Sequence, residues 1–216
     1  MIMENKVYVF DFDGTLADSM PHLLGVLLGL LDEYGIKYEE DIIDKIIPMG
    51  YQRVSEYYNQ LGVPMSVEEI FRTLLSRQVE LYSSSKIQLK EGVLSTLKRL
   101  KDRGERLFIF SGSTMEMLTP CAKRFGFEEL FEGIFAVDDF HTTKAKKEAY
   151  EIVAKKIGVS CETCLFFDDN YTNLATAKSV GMRVFGVKDS FSKNSEERIK
   201  EVSERYIQNF SDVLEV

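Results

Sequence analysis

Cysteine is sparse in this 216-residue chain: Cys121, Cys161 and Cys164 are the full set. An odd, thin set of thiols does not make a disulfide framework, so a reducing compartment, the cytoplasm, is expected. Cys161 and Cys164 form a single Cys-x-x-Cys pair. Three thiols cannot close a tetrahedral zinc site unaided, a thioredoxin-like context is missing, and no function is assigned to the pair. Long apolar runs are missing as well. The longest, residues 23–31, is about half of what a membrane-spanning helix needs. The N-terminus lacks the charged, apolar and cleavage regions of a secretory signal, and none is expected. Basic residues are in the minority, with Lys plus Arg at 27, Asp plus Glu at 35 and a formal net charge of −8. That balance disfavours sequence-independent binding to nucleic acid or to an anionic membrane. What remains is ordinary globular material, 44% hydrophobic and 29% charged, long enough to bury a core without covalent staples.

Two textures divide the chain. Short, nearly continuous apolar runs at residues 7–10, 107–110, 134–137, 165–167 and 183–187 read as strands covered on both faces. Helical patterns lie between them at 93–101, 115–125, 145–157 and 172–180. Such alternation predicts an α/β core, a Rossmann-like parallel sheet between two helical layers. Residues 20–85 differ, reading as helix throughout. Leucines recur at helical spacing over 23–31, isoleucines at Ile42, Ile43, Ile46 and Ile47, and Ser66 with Glu69 forms a capping box. The predicted domains are therefore 1–18 with 86–216, and an all-helical insertion over 19–85. Hinges are expected at 83–85 and around Asp18, where small and polar residues gather.

Chemistry-bearing residues fall at strand ends and helix starts. The first strand runs into Asp11-Phe-Asp13-Gly14-Thr15. Carboxylates at the carboxyl end of a parallel strand lie where α/β sheets bind ligands. A pair there suits Mg²⁺, which prefers oxygen ligands, and also suits a nucleophile beside a separate proton carrier. The strand at 107–110 runs into Ser111-Gly112-Ser113. Lys144, Lys146 and Lys147 cluster at the start of the 145–157 helix, and the strand at 165–167 ends in Asp168-Asp169-Asn170.

These four stretches, in this order, resemble the four motifs of the haloacid dehalogenase superfamily, most of whose members are phosphohydrolases. The helical insertion resembles the cap that follows the first motif in one large branch. The resemblance implies Asp11 as the nucleophile and Asp13 as the general acid/base. It implies that the Ser111 hydroxyl and the Gly112 N–H, with Ser113, hold phosphate oxygens. Lys144 would balance charge, its register taken from Glu148 and Tyr150 although both prolines of the family stretch are replaced, by Ala145 and Lys147; Lys146 and Lys147 remain alternatives. Asp168 and Asp169 would join Asp11 and Asp13 around Mg²⁺. Asp13 argues against the dehalogenase and phosphonatase branches, which lack it. The Asp18-Ser19-Met-Pro21 stretch is similar to phosphoglycolate-phosphatase-like members. Gly50-Tyr-Gln-Arg53 is similar to the cap loop of sugar-phosphate mutases, where an Arg meets the substrate's distal anionic group; a surface Arg is the alternative reading of Arg53. His22 is assigned to packing or surface. The expected enzyme is a Mg²⁺-dependent phosphatase that hydrolyses a small phosphorylated metabolite (phosphoglycolate, a sugar phosphate or a nucleotide) through an aspartyl-phosphate, as monomer or homodimer. A phosphomutase of the β-phosphoglucomutase type is the alternative, and a non-enzymatic phospho-acceptor module the third reading.

Overall fold

The computed structural model describes residues 6–39, 41–46 and 49–216. Two compact units share the chain, one running up to Asp18 and resuming at Gln88, the other spanning Ser19–Ile87. The return falls at 88 rather than at 86 because backbone hydrogen bonds tie the returning segment to the loop after the first strand. Asp18 N donates to Gln88 O and Lys90 N to Leu16 O, both at 2.9 Å.

The Ser19–Ile87 unit is helical: α1 (Met20–Glu33), α2 (Ile42–Ile46), α3 (Tyr51–Gln60) and α4 (Val67–Ser83). Pro21 stands in the first turn of α1, where its missing N–H has no intrahelical partner to lose. The leucine run divides by helical phase, and Leu24, Leu27, Leu30 and Leu31 turn inward. They pack with Ile42, Ile46, Val54, Tyr58, Ile70 and Leu74; the expectation for Ile47 lies outside the described residues. The capping box opens α4: Ser66 Oγ accepts from Glu69 N at 3.3 Å, and Glu69 Oε2 accepts from Ser66 N at 2.8 Å. Among the described residues no helix is long and apolar enough to cross a membrane.

The other unit carries β1 (Val7–Phe10), α5 (Val93–Asp102), β2 (Arg106–Ser111), α6 (Met115–Phe125), β3 (Gly133–Ala136), α7 (Lys147–Ile157), β4 (Cys164–Asp168), α8 (Tyr171–Ser179), β5 (Arg183–Val187), α9 (Glu196–Val202) and β6 (Arg205–Ile207). All strand pairs are parallel, in the order β3-β2-β1-β4-β5-β6. Alternate β1 residues face opposite layers. Val7 and Val9 join Phe108, Phe110 and Phe166 beneath Ala149, Tyr150 and Val153 of α7, Leu174 and Ala177 of α8, and Ile199 of α9. Tyr8 and Phe10 face the other way, in an aromatic layer where the Phe10–Phe167 and Phe167–Phe185 centroids both lie 4.8 Å apart. Phe131 and Phe210 close over that layer. Both faces are therefore dry, which explains the unbroken apolar strands. The sheet is Rossmann-like, as expected. Its sixth strand and α9 escaped the sequence reading, because Arg205-Tyr206-Ile207 is too short a run to carry a periodicity.

Candidate active site

Strand order reverses between β1 and β4, and the crevice beyond their carboxyl ends is where such sheets bind ligands. Asp11 continues the ladder there, its N–H donating to Phe167 O at 2.9 Å. Its buried carboxylate accepts from Lys144 Nζ at 2.6 Å, and Lys144 also donates to Asp168 Oδ2 at 2.6 Å. The ammonium lies 5.4 Å from the centre of the Phe110 ring and 5.2 Å from that of Phe166. Lys144 does not open a helix. It lies in a turn closed by Lys146 N donating to Thr143 O at 3.0 Å, and α7 starts only at Lys147. That turn separates the three lysines: Lys144 is buried, whereas Lys146 and Lys147 are exposed. The Tyr150 hydroxyl lies 2.9 Å from Lys144 O and 3.0 Å from Asn173 O, locking the turn onto α8.

The second acidic pair is held from several sides. Asp168 Oδ1 accepts from Asn170 N at 2.7 Å, and Asn173 Nδ2 donates to Asp168 Oδ2 at 3.1 Å. Asn170 in turn caps α8, accepting from Thr172 N and Asn173 N. Asp169 receives Thr15 Oγ1 at 3.2 Å on one oxygen and Ser192 Oγ at 2.9 Å on the other. Gly14 makes this approach feasible. Its φ is +76°, and a Cβ there would lie 2.6 Å from Asp169 Oδ2. Gly14→Ala is therefore expected to combine left-handed strain of about 1–2 kcal/mol with displacement of Asp169. Urea denaturation should show a loss at least that large.

Asp11, Asp168 and Asp169 each offer an oxygen, and these oxygens lie within 4.8 Å of one another. Burial pushes the Asp11 carboxyl well up; Lys144 opposes this, and Asp168 and Asp169 reinforce it. Burial, then Asp168 and Asp189, push Asp169 up to about 7. Burial disfavours the Lys144 cation, but Asp11 and Asp168 outweigh it and hold the proton on. Lys144 pairs with only two of the three buried carboxylates, Asp11 and Asp168, and Lys90, which pulls Asp169 down, is itself paired with Asp189, so negative charge is in excess in a dry place. The donor set is all carboxylate oxygen, which fits a hard divalent cation.

Asp13, expected as a fourth ligand, is not one of these three. Its Oδ2 accepts from Ser113 Oγ at 2.6 Å, so the Ser113 hydroxyl, expected at a phosphate, is spent on Asp13. Ser111 is buried and its Oγ accepts from Ser113 N at 3.0 Å, which leaves its own proton to donate; Gly112 is exposed. Arg53 lies exposed in the first turn of α3, in the helical unit. Thr15, Lys90, Asp189 and Ser192, which the structure gathers around Asp169, were not singled out in the sequence. Asp189 and Ser192 had a readable signal, a polar run directly after β5, the same strand-end rule that found Asp168. Burial pushes the Cys121 thiol up to about 11 and the Cys164 thiol up to about 12, so both keep their proton near neutral pH.

A family model described as haloacid dehalogenase-like hydrolase matches residues 8–187. The chain belongs to that family of enzymes. Pyrophosphatase PpaX of Bacillus pumilus is 28% identical over 210 residues, covering 96% of this chain and 94% of its own. Phosphoglycolate phosphatase 1 of Pseudomonas aeruginosa is 25% identical over 194 residues, covering 82% and 67%. The crystal structure of CbbY from Rhodobacter sphaeroides in complex with phosphate matches with a TM-score of 0.82 at 20% identity, covering 97% of this chain and 96% of that one. That last likeness is one of fold. The expected enzyme class, a phosphoric monoester hydrolase, agrees with the phosphatase names among the curated relatives, while the pyrophosphatase name denotes cleavage of a phosphoanhydride.

Proposed function

We propose that the protein is a Mg²⁺-dependent phosphatase that hydrolyses a small phosphomonoester through a phosphoryl ester of Asp11. The observation that carries this reading is the Asp11 carboxylate itself: buried, 2.6 Å from Lys144, clustered with Asp168 and Asp169, and two residues from a second carboxylate, Asp13. In the first step an Asp11 oxygen bonds to phosphorus as the ester P–O bond breaks, and Asp13 gives its proton to the leaving oxygen. In the second, Asp13 takes a proton from water, the water oxygen bonds to phosphorus, and Asp11 is released with inorganic phosphate. Lys144 offsets the charge that gathers between Asp11 and the phosphoryl group. Ser111 and the Gly112 N–H hold phosphoryl oxygens, with Ser113 setting the direction of Asp13. Asp11, Asp168 and Asp169 would hold Mg²⁺, which supplies further charge neutralisation at the phosphoryl oxygens. Arg53 reads an anionic group of the substrate, and the helical unit serves as the specificity cap of a cytoplasmic enzyme. The mutase reading draws no support from the curated relatives named above, and membership of a hydrolase family speaks against a non-enzymatic acceptor.

The test is phosphate release from a panel of phosphoglycolate, sugar phosphates, nucleotides and pyrophosphate, with Mg²⁺ or with EDTA. Release that depends on Mg²⁺ is expected. Silence across the panel with Mg²⁺ present would remove the phosphatase reading.

Acidity offers a second check. An unfolded aspartate titrates near about 3.9, whereas folded Asp169 is raised to about 7. The folded state thus binds the proton more tightly. In EDTA, stability is expected to fall as pH rises through that window, by up to about 1.4 kcal/mol per pH unit for this group, and to level off above it. Urea denaturation between about pH 5 and about pH 8 measures the slope, and Mg²⁺ should restore most at the alkaline end.

A further inference from the structure

Lys90 stands where the chain returns to the α/β unit, and its ammonium has three acceptors for its three protons. It donates to Gly14 O, to Lys188 O at 2.7 Å and to Asp189 Oδ2 at 2.9 Å. The two side chains are only 18% and 2% exposed, so this is a largely buried pair rather than a solvated surface contact. Asp189 is also the cap of the turn that follows β5. Its Oδ1 accepts from Phe191 N at 2.9 Å, and that turn presents the Ser192 hydroxyl to Asp169. On the opposite side, Gly14 precedes Thr15, whose hydroxyl reaches the other Asp169 oxygen. Lys90 therefore staples together the two loops whose hydroxyls hold the two oxygens of one carboxylate.

We propose that Lys90 and Asp189 form a positioning pair that sets the Asp169 carboxylate for cation binding, acting through the Gly14–Thr15 loop and Ser192. The proposal rests on the assignment of Asp11, Asp168 and Asp169 as the cation site. Partners that orient a metal ligand commonly govern affinity by about 10–100-fold, whereas a buried pair serving only the fold would move stability and leave affinity alone. The Lys90–Asp189 link also has its own logic of coupling. If the two residues act as one staple, breaking it twice should cost no more affinity than breaking it once.

Isothermal titration of Mg²⁺ into the metal-free full-length protein tests this, with urea denaturation in EDTA run beside it. Lys90→Met and Asp189→Asn are each expected to weaken Mg²⁺ binding by about 10-fold or more, and the double variant by no more than the weaker-binding single one. Ser192→Ala leaves the ion pair intact, so it separates loss of position from loss of fold; it should weaken Mg²⁺ binding while unfolding near the wild-type midpoint. Phosphatase activity lost at low Mg²⁺ in these variants should return at high Mg²⁺. Wild-type affinity in Lys90→Met, Asp189→Asn and Ser192→Ala, whatever their stability, overturns the positioning role while leaving the cation site standing. Failure of the wild-type protein itself to bind Mg²⁺ overturns the cation assignment, and the pair's role with it.

Discussion

Asp11→Asn is expected to lower phosphate release by on the order of 10⁴-fold or more while the protein stays folded. Removing a nucleophile removes the whole covalent route, and the loss then approaches that of dismantling the site together. Neither the Lys144 charge nor the Asp13 proton has a bond-forming oxygen to assist. Stability should move the other way. The Asp11 carboxyl is held well above its ordinary range, chiefly by burial and with Asp168 and Asp169 adding repulsion, so its ionised form is unfavourable in the metal-free fold near neutral pH. An amide of the same shape relieves that repulsion and still offers an oxygen to Lys144. In EDTA the variant should unfold at the wild-type urea concentration or higher. With Mg²⁺ the wild type should gain more than the variant, because one ligand has lost its charge. A variant that retains more than about a hundredth of wild-type turnover would deny Asp11 the nucleophilic role.

Lys144→Ala should be damaging to both activity and stability. Lys144 is buried and bonded to Asp11 and Asp168 at 2.6 Å each. Its removal leaves two buried carboxylates facing one another without a cation, a kind of loss that costs roughly 3–5 kcal/mol. The penalty should shrink as pH falls and Asp11, held well above the ordinary carboxyl range by burial, takes up a proton. Activity should drop by at least about 10²–10³-fold, the range seen when one preorganised charge-stabilising donor is deleted. Arginine is not expected to rescue: a planar guanidinium does not fit where a compact ammonium lies between two carboxylates and against the rings of Phe110 and Phe166. Lys146→Ala and Lys147→Ala supply the contrast. Both side chains are exposed, and their loss should stay within about 0.5 kcal/mol of wild type with turnover preserved. A severe loss in either, with Lys144→Ala unharmed, would reassign the lysine.

Much of the site was readable because strand ends are readable. An apolar run that stops at a carboxylate declares both its burial and its terminus, and Asp11, Asp168 and Asp169 each follow such a run. Ser111 was marked in the same way, at the end of β2. Lys144 was harder. Helical spacing places it at the front of a helix, yet the backbone turns between Thr143 and Lys146, and only that turn sends Lys144 inward while its neighbours face water. Asp13 shows a different limit. Its position two residues after Asp11 suggests a fourth ligand, yet the clustered oxygens come from Asp11, Asp168 and Asp169, and Asp13 Oδ2 accepts from Ser113 Oγ, a hundred residues away in sequence.

Local periodicity and composition by themselves determined the alternation of strand and helix, the parallel dry sheet, the helical insertion and the acidic residues at its strand ends. These are properties of short windows: burial on two faces demands continuous apolar residues, and a capping box is complete within four. The tertiary structure alone decided which groups share a charge. Parallel pairing of β1 with β4 brings residues some 157 positions apart into one cluster, and the returning segment lays Lys90 between the loops after β1 and β5. Electrostatic energies at a few ångströms depend on where chains cross rather than on sequence distance. That is why the carboxylates could be read from their strand ends and Lys144 named through the family resemblance, whereas Lys90 had to wait for the fold.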